Sequence, residues 1–335
     1  MRIGSLDTDT RVVVVAEVGN NHEGDVERAQ ELVRAAAAAG ADAVKFQTYK
    51  TELFVRPVDE ERFARLKSFE LSQDAFAGLA DVAHELGLAF VSTPLDLESA
   101  AFLDEIADAV KIASGDNTFV PLIRRVAAGS KPMIMSTGLV DLDETRVALE
   151  LARSARPPGA EVALLHCVTA YPARPAEINL RAIPELAAAL GCTVGYSDHT
   201  LGIEACVAAA AIGARILEKH VTLDPPLSDF RDHELSARPE ELAELVRRVR
   251  LVEELLGSGE KRPQASELEL RDAVRRSIAA RRDLRAGHRI GEDDISWLRP
   301  GGGIAPGHEA DVVGGILGRD VSAGEQLRPD DVEKP

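Results

Sequence analysis

Between Arg11 and Gly257 the chain alternates eight short, nearly continuous apolar runs with eight amphipathic stretches, a pattern that few folds accept. The runs that read as strands are 12–18, 43–48, 89–92, 109–113, 132–136, 162–168, 193–197 and 216–222. Helical periodicity fills the intervals at 26–39, 74–86, 97–106, 119–128, 142–154, 180–190, 202–212 and 239–256. Several of these stretches close on glycine, at Gly40, Gly87, Gly129, Gly191 and Gly213, as a helix C-terminus predicts. Strands with so little polar alternation are buried on both faces, which belongs to parallel sheets covered by helices. Eight strand–helix pairs of this kind predict an α/β fold, a closed (β/α)8 TIM barrel. One connection, from Tyr49 to Gln73, is long and charged and contains Pro57, and it reads as a lid or rim loop.

In such a barrel the chemistry sits at the carboxyl ends of the strands. Here those ends are polar. The first brings Glu17, then Asn20, Asn21 and His22; the second Lys45 and Gln47; the third Ser92 and Thr93; the fourth Lys111 and Ser114. The fifth ends in Ser136, Thr137 and Gly138, and the sixth brings His166, Thr169 and Tyr171. The last two end in Ser197, Asp198, His199 and in Glu218, Lys219, His220. A strand–helix–strand unit is parallel and right-handed, so those two clusters share one rim. His199 and His220 then lie side by side, placed to share one divalent metal. A lone histidine at a barrel end more often just satisfies hydrogen bonds; two at matched strand ends, each beside a charged neighbour, favour a ligand pair.

Lys45 and Lys111 stand inside otherwise apolar strands, a costly position unless they hold an anion or pair with Glu17 or Glu218. With Thr93, Ser114 and Ser197 they can converge on one small dianion, a phosphate or a phosphate-plus-carboxylate compound. No Walker or GxGxxG motif points to a nucleotide. His22, in a polar turn, reads as solvated.

At 335 residues the chain suits a barrel of about 250 residues plus a small module. Hydrophobic residues at 45% allow a large core. A net charge of −17 argues against sequence-independent nucleic-acid binding, yet leaves room for an anionic substrate held by a few local lysines and arginines. Cys167, Cys192 and Cys206 are odd in number and lack CxxC spacing, so they read as reduced, cytosolic thiols. No apolar run reaches about 18 residues, and the polar N-terminus lacks a signal-peptide core. A cytoplasmic protein without a membrane span is expected. After Gly257 the character changes. Residues 258–274 read as a polar linker and 275–335 as a compact, β-rich module. Within it, Leu284-Arg-Ala-Gly followed by acids recurs as Val321-Ser-Ala-Gly followed by acids, an internal pseudo-repeat. A core that small is marginal alone and should dock on the barrel or on another subunit.

The motifs AEVGNNHEGD (16–25), ADAVKFQTY (41–49), STPLD (92–96), KIASGD (111–116), STG (136–138), LLHC with YP (164–172), GYSDHT (195–200), EKHVTLD (218–224) and RPGGGI (299–304) occur together along this chain. In combination they resemble the sialic acid (N-acetylneuraminate) synthase family, whose barrel carries a C-terminal antifreeze-like (SAF) domain. The resemblance runs from about residue 11 to 333. It implies condensation of phosphoenolpyruvate with an N-acetylmannosamine-type sugar, giving a nonulosonic acid and phosphate. It also implies a divalent cofactor, Mn2+ (or Mg2+ or Co2+), on His199 and His220, and Glu17 as the acid or base near C2 of phosphoenolpyruvate. Lys45, Thr93, Lys111, Ser114, Thr169 and Ser197 match the positions that hold phosphoenolpyruvate, with Arg276 or its neighbour Arg275 as a further phosphate contact. Gln47, Tyr171 and Asp232 match sugar contacts, and Arg299 the arginine placed over the acyl group in a domain-swapped homodimer. The chain departs from the family where members commonly read GPDH: here SDFRDHELS keeps only Asp232 and His233, with Phe230 and Arg231 as different rim chemistry. Thr169 stands where other members have Asn or Ser. The sugar therefore stays open among N-acetylmannosamine, its 6-phosphate, and legionaminate- or pseudaminate-type precursors. Two alternatives differ in kind. A synthase acting on an arabinose or erythrose phosphate would need an added basic site, and no such cluster is evident beyond Lys45, Lys111 and Arg275–Arg276. A non-catalytic binding protein using the C-terminal module would leave the polar rim unexplained.

Overall fold

The computed structural model describes residues 1–157, 160–223, 228 and 230–333. Asp224 of the EKHVTLD motif, Asp229 of SDFRDHELS, and Lys334 and Pro335 of the expected module lie outside the described residues. The chain divides into two compact units, Met1–Gly257 and Ser258–Pro335.

The first unit is a closed barrel of eight parallel strands: β1 (Val13–Gly19), β2 (Ala43–Thr48), β3 (Ala89–Pro94), β4 (Ala109–Ile112), β5 (Met133–Ser136), β6 (Val162–Cys167), β7 (Val194–Asp198) and β8 (Ile216–His220). Closure is direct, since β8 pairs with β1 from Ile216 opposite Val13 to His220 opposite Glu17. These bounds agree with the expected strands to within two residues at each end. Side-chain parity builds two separate cores. Outward positions such as Val12, Val14, Val44, Phe46, Phe90 and Ile112 pack under the surrounding helices. Inward positions Val13, Val15, Ala43, Val91, Ile134, Leu165 and Ile216 fill the lower barrel. An N-terminal hairpin, Arg2–Ile3 against Leu6–Asp7, adds Met1 and Ile3 to that inner cluster. Each fully buried Val, Leu or Ile contributes about 1.5–3 kcal/mol.

Aspartates start several of the helices that follow the strands. Asp25 accepts from Glu27 N and Arg28 N, Asp96 from Ser99 N, and Asp141 forms a capping box with Glu144. Caps of this kind contribute about 1 kcal/mol each. Gly40, Gly87, Gly191 and Gly213 adopt positive φ as expected, but Gly129 does not. The connection read as a lid or rim loop is helical instead, with helices at Thr51–Phe54 and Glu60–Phe69. Leu66 anchors it against Tyr49 and Leu95, and Tyr49 donates to the Leu66 carbonyl at 3.1 Å. Its charged residues form the solvent face of an amphipathic helix, which is why the charge alone suggested a loop.

Gly195 shows how tightly the barrel is drawn at β7. A Cβ there would lie 2.2 Å from the Ile216 carbonyl oxygen and 2.6 Å from Leu165 Cδ2, so neither β8 backbone nor core can accept it.

The second unit opens with a helix, Ala265–Val274, inside the stretch read as a linker. Short antiparallel pairs follow, Ser277–Ala280 with Ile295–Leu298 and Ile316–Leu317 with Val332–Glu333. The pseudo-repeat is structural. Leu284 and Val321 exchange backbone hydrogen bonds of 2.8 and 2.9 Å. Asp283 accepts from Ala323 N at 2.8 Å, and Asp320 accepts from Ala286 N at 2.9 Å. In each half an arginine grips the carboxylate twelve residues ahead, Arg282 on Asp294 and Arg319 on Asp331. The two halves thus supply each other's missing partners, and a small apolar cluster including Ile278, Leu284, Ile290, Val321 and Leu327 closes between them.

Gly195→Ala is expected to destabilise the first unit by about 2 kcal/mol or more, because a backbone carbonyl must move to admit the methyl. The measurement is the urea midpoint of the full-length chain followed by tryptophan-independent circular dichroism; an unchanged midpoint contradicts the packing described.

Candidate functional site

The inward parity that is apolar in the lower barrel turns polar at the carboxyl ends. Above Val15 comes Glu17, above Ala43 come Lys45 and Gln47, above Val91 comes Thr93, above Ala109 comes Lys111, and above Ile134 comes Ser136. Leu165 is followed by Cys167, Gly195 by Ser197, and Ile216 by Glu218 and His220. A register shift in β1, with Glu17 opposite Lys45 but Gly19 opposite Phe46, sits at the point where Glu17 joins this layer. Bulges commonly re-aim a side chain at such rims.

Two carboxylates and two ammonium groups share the interior. Lys45 Nζ lies 2.9 Å from Glu17 Oε2 and 3.4 Å from Glu218 Oε1. Lys111 Nζ lies 3.9 Å from Glu218 Oε2 and donates to Ser136 Oγ at 2.5 Å. Ser197 donates to Glu218 at 2.9 Å, and Lys45 to Thr93 at 3.3 Å. Burial makes the four unequal. It pushes the Glu17 carboxyl up to about 7, against the pull of Lys45, and Glu218 adds to the rise. Burial also opposes ionisation of Glu218, but Lys111 and Lys45 outweigh it and hold that carboxyl below its ordinary range. Lys45, despite burial, is held above its ordinary value by Glu17 and Glu218. Lys111 is lowered, chiefly by burial. Glu218 therefore keeps its charge between the lysines, while Glu17 can gain and lose a proton near neutrality.

Ser114, Gly138 and Thr169 meet beside Lys111. Gly138 N donates to Ser114 Oγ at 3.0 Å, and a Cβ on Gly138 would fall 2.2 Å from Thr169 Oγ1 and 2.7 Å from Ser114 Oγ. Only glycine lets these two hydroxyls approach so closely. The Thr169 hydroxyl is buried without a hydrogen-bond partner among the described residues, a costly state unless a guest completes it.

His199 and His220 come together as expected, with ring centroids 5.5 Å apart. That separation suits two imidazoles sharing one ion at nitrogen distances of about 2.1 Å. His199 Nδ1 donates to the Val168 carbonyl at 2.8 Å, the second-sphere contact that leaves Nε2 to a ligand role. His220 Nδ1 is buried without a hydrogen-bond partner among the described residues. Burial, with His199 nearby, holds His220 well below its ordinary value, which favours the neutral imidazole that metal binding requires. Burial acts the same way on His199, but Cys167, the Val168 carbonyl and Glu218 carry it above its ordinary value. Tyr171 lies tilted against His199 with ring centroids 4.1 Å apart and meets His220 edge-on at 6.2 Å. Gln47 reaches Glu17 at 3.5 Å and accepts from Asn20 at 3.0 Å. Asp232, buried, closes the rim near Arg231. Arg276 and Arg299 belong to the second unit, where Arg276 donates to the Trp297 carbonyl at 2.7 Å.

Some rim residues are not part of this well. His166 falls on the outward parity, stacks on Tyr196 at 6.1 Å and contacts the Ile178 carbonyl. Asp198 and Lys219 are outward too and form a fully buried pair at 2.9 Å, tied to Tyr196 and Thr200. His22 is buried, not solvated, and burial brings it down to about 4. Conversely Cys167, set aside as an ordinary thiol, faces inward with Sγ 3.8 Å from His199 Nδ1. Its two-residue spacing from Leu165 was the available signal.

Comparisons with known proteins bear on the family of the chain. The family model described as the NeuB family matches residues 32–261, and that of the SAF domain matches residues 275–333. The N,N'-diacetyllegionaminic acid synthase of Legionella pneumophila is 41% identical over 96% of this chain and 94% of its own length. The pseudaminic acid synthase of Campylobacter jejuni is 32% identical over 99% of both. Among solved structures, the N-acetylneuraminic acid (sialic acid) synthetase of Leptospira borgpetersenii, in complex with citrate, is 34% identical and superposes with a TM-score of 0.75, covering 82% of this chain and 96% of that one. A closed parallel barrel with this inward polar layer, followed by a SAF domain, makes the chain a member of the NeuB family of nonulosonic (sialic-type) acid synthases.

Proposed function

We propose that this protein condenses phosphoenolpyruvate with an N-acylated amino hexose of the N-acetylmannosamine type, releasing phosphate and a nine-carbon 2-keto acid. The observation that carries the reading is one well holding both a lysine–carboxylate lattice and a pair of adjacent imidazoles. Lys45 and Lys111 are suited to a dianion that brings phosphate and carboxylate together, and Thr93, Ser114, Thr169 and Ser197 offer hydroxyls around it. His199 and His220 would hold the divalent ion, Mn2+ or a similar metal, whose contribution is to polarise the sugar aldehyde as a Lewis acid. Gln47, Tyr171 and Asp232 face the sugar.

The reaction closes on protons that this chain can handle. C3 of phosphoenolpyruvate bonds to the aldehyde carbon, whose oxygen takes a proton and becomes a hydroxyl. Water adds to C2 and gives a proton to Glu17. The C2–O bond to phosphate then breaks, the electron pair leaves with phosphate, and C2 becomes the ketone as its new hydroxyl loses its proton. A carboxyl near 7 suits a group that must accept and return a proton at neutral pH. In this reading Lys111 stabilises the charge that develops on the departing phosphate.

The test is phosphate release with phosphoenolpyruvate, an N-acyl hexosamine and Mn2+, each omitted in turn; release is expected only with all three. A panel of neutral and 6-phosphorylated sugars identifies the acceptor. Glu17 acts deprotonated, so kcat/KM is expected to rise with pH through about 7 and then level. Glu17→Gln should lower kcat by about a hundredfold or more and remove that limb. Persistence of the limb in the variant assigns it to another group. His199→Ala and His220→Ala should each abolish calorimetric Mn2+ binding and reduce phosphate release by about a hundredfold or more, with unchanged circular dichroism. Normal Mn2+ affinity in both would remove the imidazoles from the site.

A further inference from the structure

Of the two imidazoles at the rim, one is held by the sheet and the other is not. His220 is the last residue of β8 and pairs with Glu17 of β1. His199 stands one residue beyond the end of β7, whose ladder with β8 stops at Asp198 opposite Lys219. A ring carried one step past the last rung needs another restraint to keep a fixed distance from its neighbour. Asp198 and Lys219 supply it from behind the wall. Asp198 Oδ1 accepts from Thr200 N at 2.9 Å, which closes a turn around His199, and Lys219 Nζ donates to the Thr200 carbonyl. The residue after His199 is thus held by both its N–H and its C=O. The 2.9 Å ion pair then ties that turn to the residue before His220. Tyr196 Oη donates to Asp198 Oδ1 at 3.0 Å and Cys206 Sγ to Oδ2 at 3.6 Å, so both carboxylate oxygens are fixed. Ala173 N also donates to the His199 carbonyl, at 2.8 Å, but from the chain after β6, and it leaves β8 untouched.

A fully buried ion pair is seldom needed for stability, because a neutral pair of similar size often serves as well or better. Its strength is defined geometry, and two ligands of one ion need that, with nitrogen distances of about 2.1 Å to be met from both sides. Neither side chain faces the well, so neither touches a substrate there. We propose that Asp198 and Lys219 are positioning residues: their ion pair sets the separation of His199 and His220 and thereby the affinity of that pair for a divalent ion. The proposal rests on the metal role given to the two histidines above and deepens it, since it places part of the ion's affinity in residues that never contact the ion.

The experiment is calorimetric titration of the full chain with Mn2+ and, separately and without metal, with phosphoenolpyruvate. It compares wild type, the double variant Asp198→Asn/Lys219→Met, and Tyr196→Phe. The double variant removes both charges together and leaves none buried unpaired; the amide keeps an acceptor for Thr200 N, and the tie to β8 is lost. Its thermal midpoint is expected to hold or rise, its Mn2+ affinity to fall by about tenfold or more, and its affinity for phosphoenolpyruvate to stay unchanged. The visible spectrum of the Co2+ form should change with it, because the ligand geometry changes. Tyr196→Phe keeps both charges and frees one carboxylate oxygen, and it should weaken Mn2+ binding by about threefold. Wild-type Mn2+ affinity in the folded double variant overturns the proposal and leaves the pair a structural brace. Equal losses of Mn2+ and phosphoenolpyruvate affinity overturn it too, since they report a loosened barrel. Where the double variant does not fold, Tyr196→Phe decides, and unchanged Mn2+ affinity there counts against the proposal. A wild type that takes up no Mn2+ removes the metal role of the histidines, and the positioning role with it, in the first titration.

Discussion

Four ionisable groups facing each other inside a closed barrel set the terms for everything above them. Glu17, Lys45, Lys111 and Glu218 are all almost fully buried, and such charges are tolerated only when each has a partner. The lattice is uneven: Glu218 sits between two lysines, Lys45 between two carboxylates, and Lys111 is the least compensated, with its nearest carboxylate at 3.9 Å. Replacing such a set with apolar residues of similar size is often neutral or stabilising. Its persistence in the upper barrel, directly over a layer of Val, Ala, Ile and Leu, is explained by a guest that uses it. The Thr169 hydroxyl and a His220 nitrogen, buried without partners among the described residues, are compatible with the guests proposed for the same well.

The fold supplies this arrangement by parity. One alternation of in and out along each strand yields an apolar floor, a charged middle and an imidazole rim, and the outer face of the same strands carries the packing against helices. Asp198 and Lys219 illustrate the other side of that rule. They neighbour Ser197 and Glu218 in sequence but stand behind the wall, where their 2.9 Å pair braces β7 to β8. A close reading of site chemistry has to separate such bracing pairs from those that face the well.

Much of this was legible in the sequence. The eight strands, their order and their polar ends follow from apolar runs and glycine stops, and the two histidines follow from a right-handed strand–helix–strand unit. What was not legible depends on a single residue of register. Whether a strand end presents Cys167 or His166 inward is a choice of parity that continuous apolar runs such as the start of Val162–Cys167 do not announce. His22 lies in a stretch of polar residues, and only the tertiary fold, with Phe46 beside it, buries the ring. The helix at Glu60–Phe69 and the one at Ala265–Val274 are rich in charged residues, so composition resembled that of loops. The repeat in the second unit, by contrast, was visible as a recurring turn, and its reciprocal Asp283 and Asp320 contacts explain why the recurrence exists.

The central claim is that the buried lysines are a receptor and not a scaffold, and Lys111→Met separates the two most directly. Because Lys111 is a charge partner of the buried Glu218, removing it should lower the thermal midpoint, and calorimetric binding of phosphoenolpyruvate, measured well below that midpoint, should fall by about a hundredfold or more. A lowered midpoint with phosphoenolpyruvate binding intact would contradict the account, since it would make Lys111 a structural partner of Glu218 and nothing more.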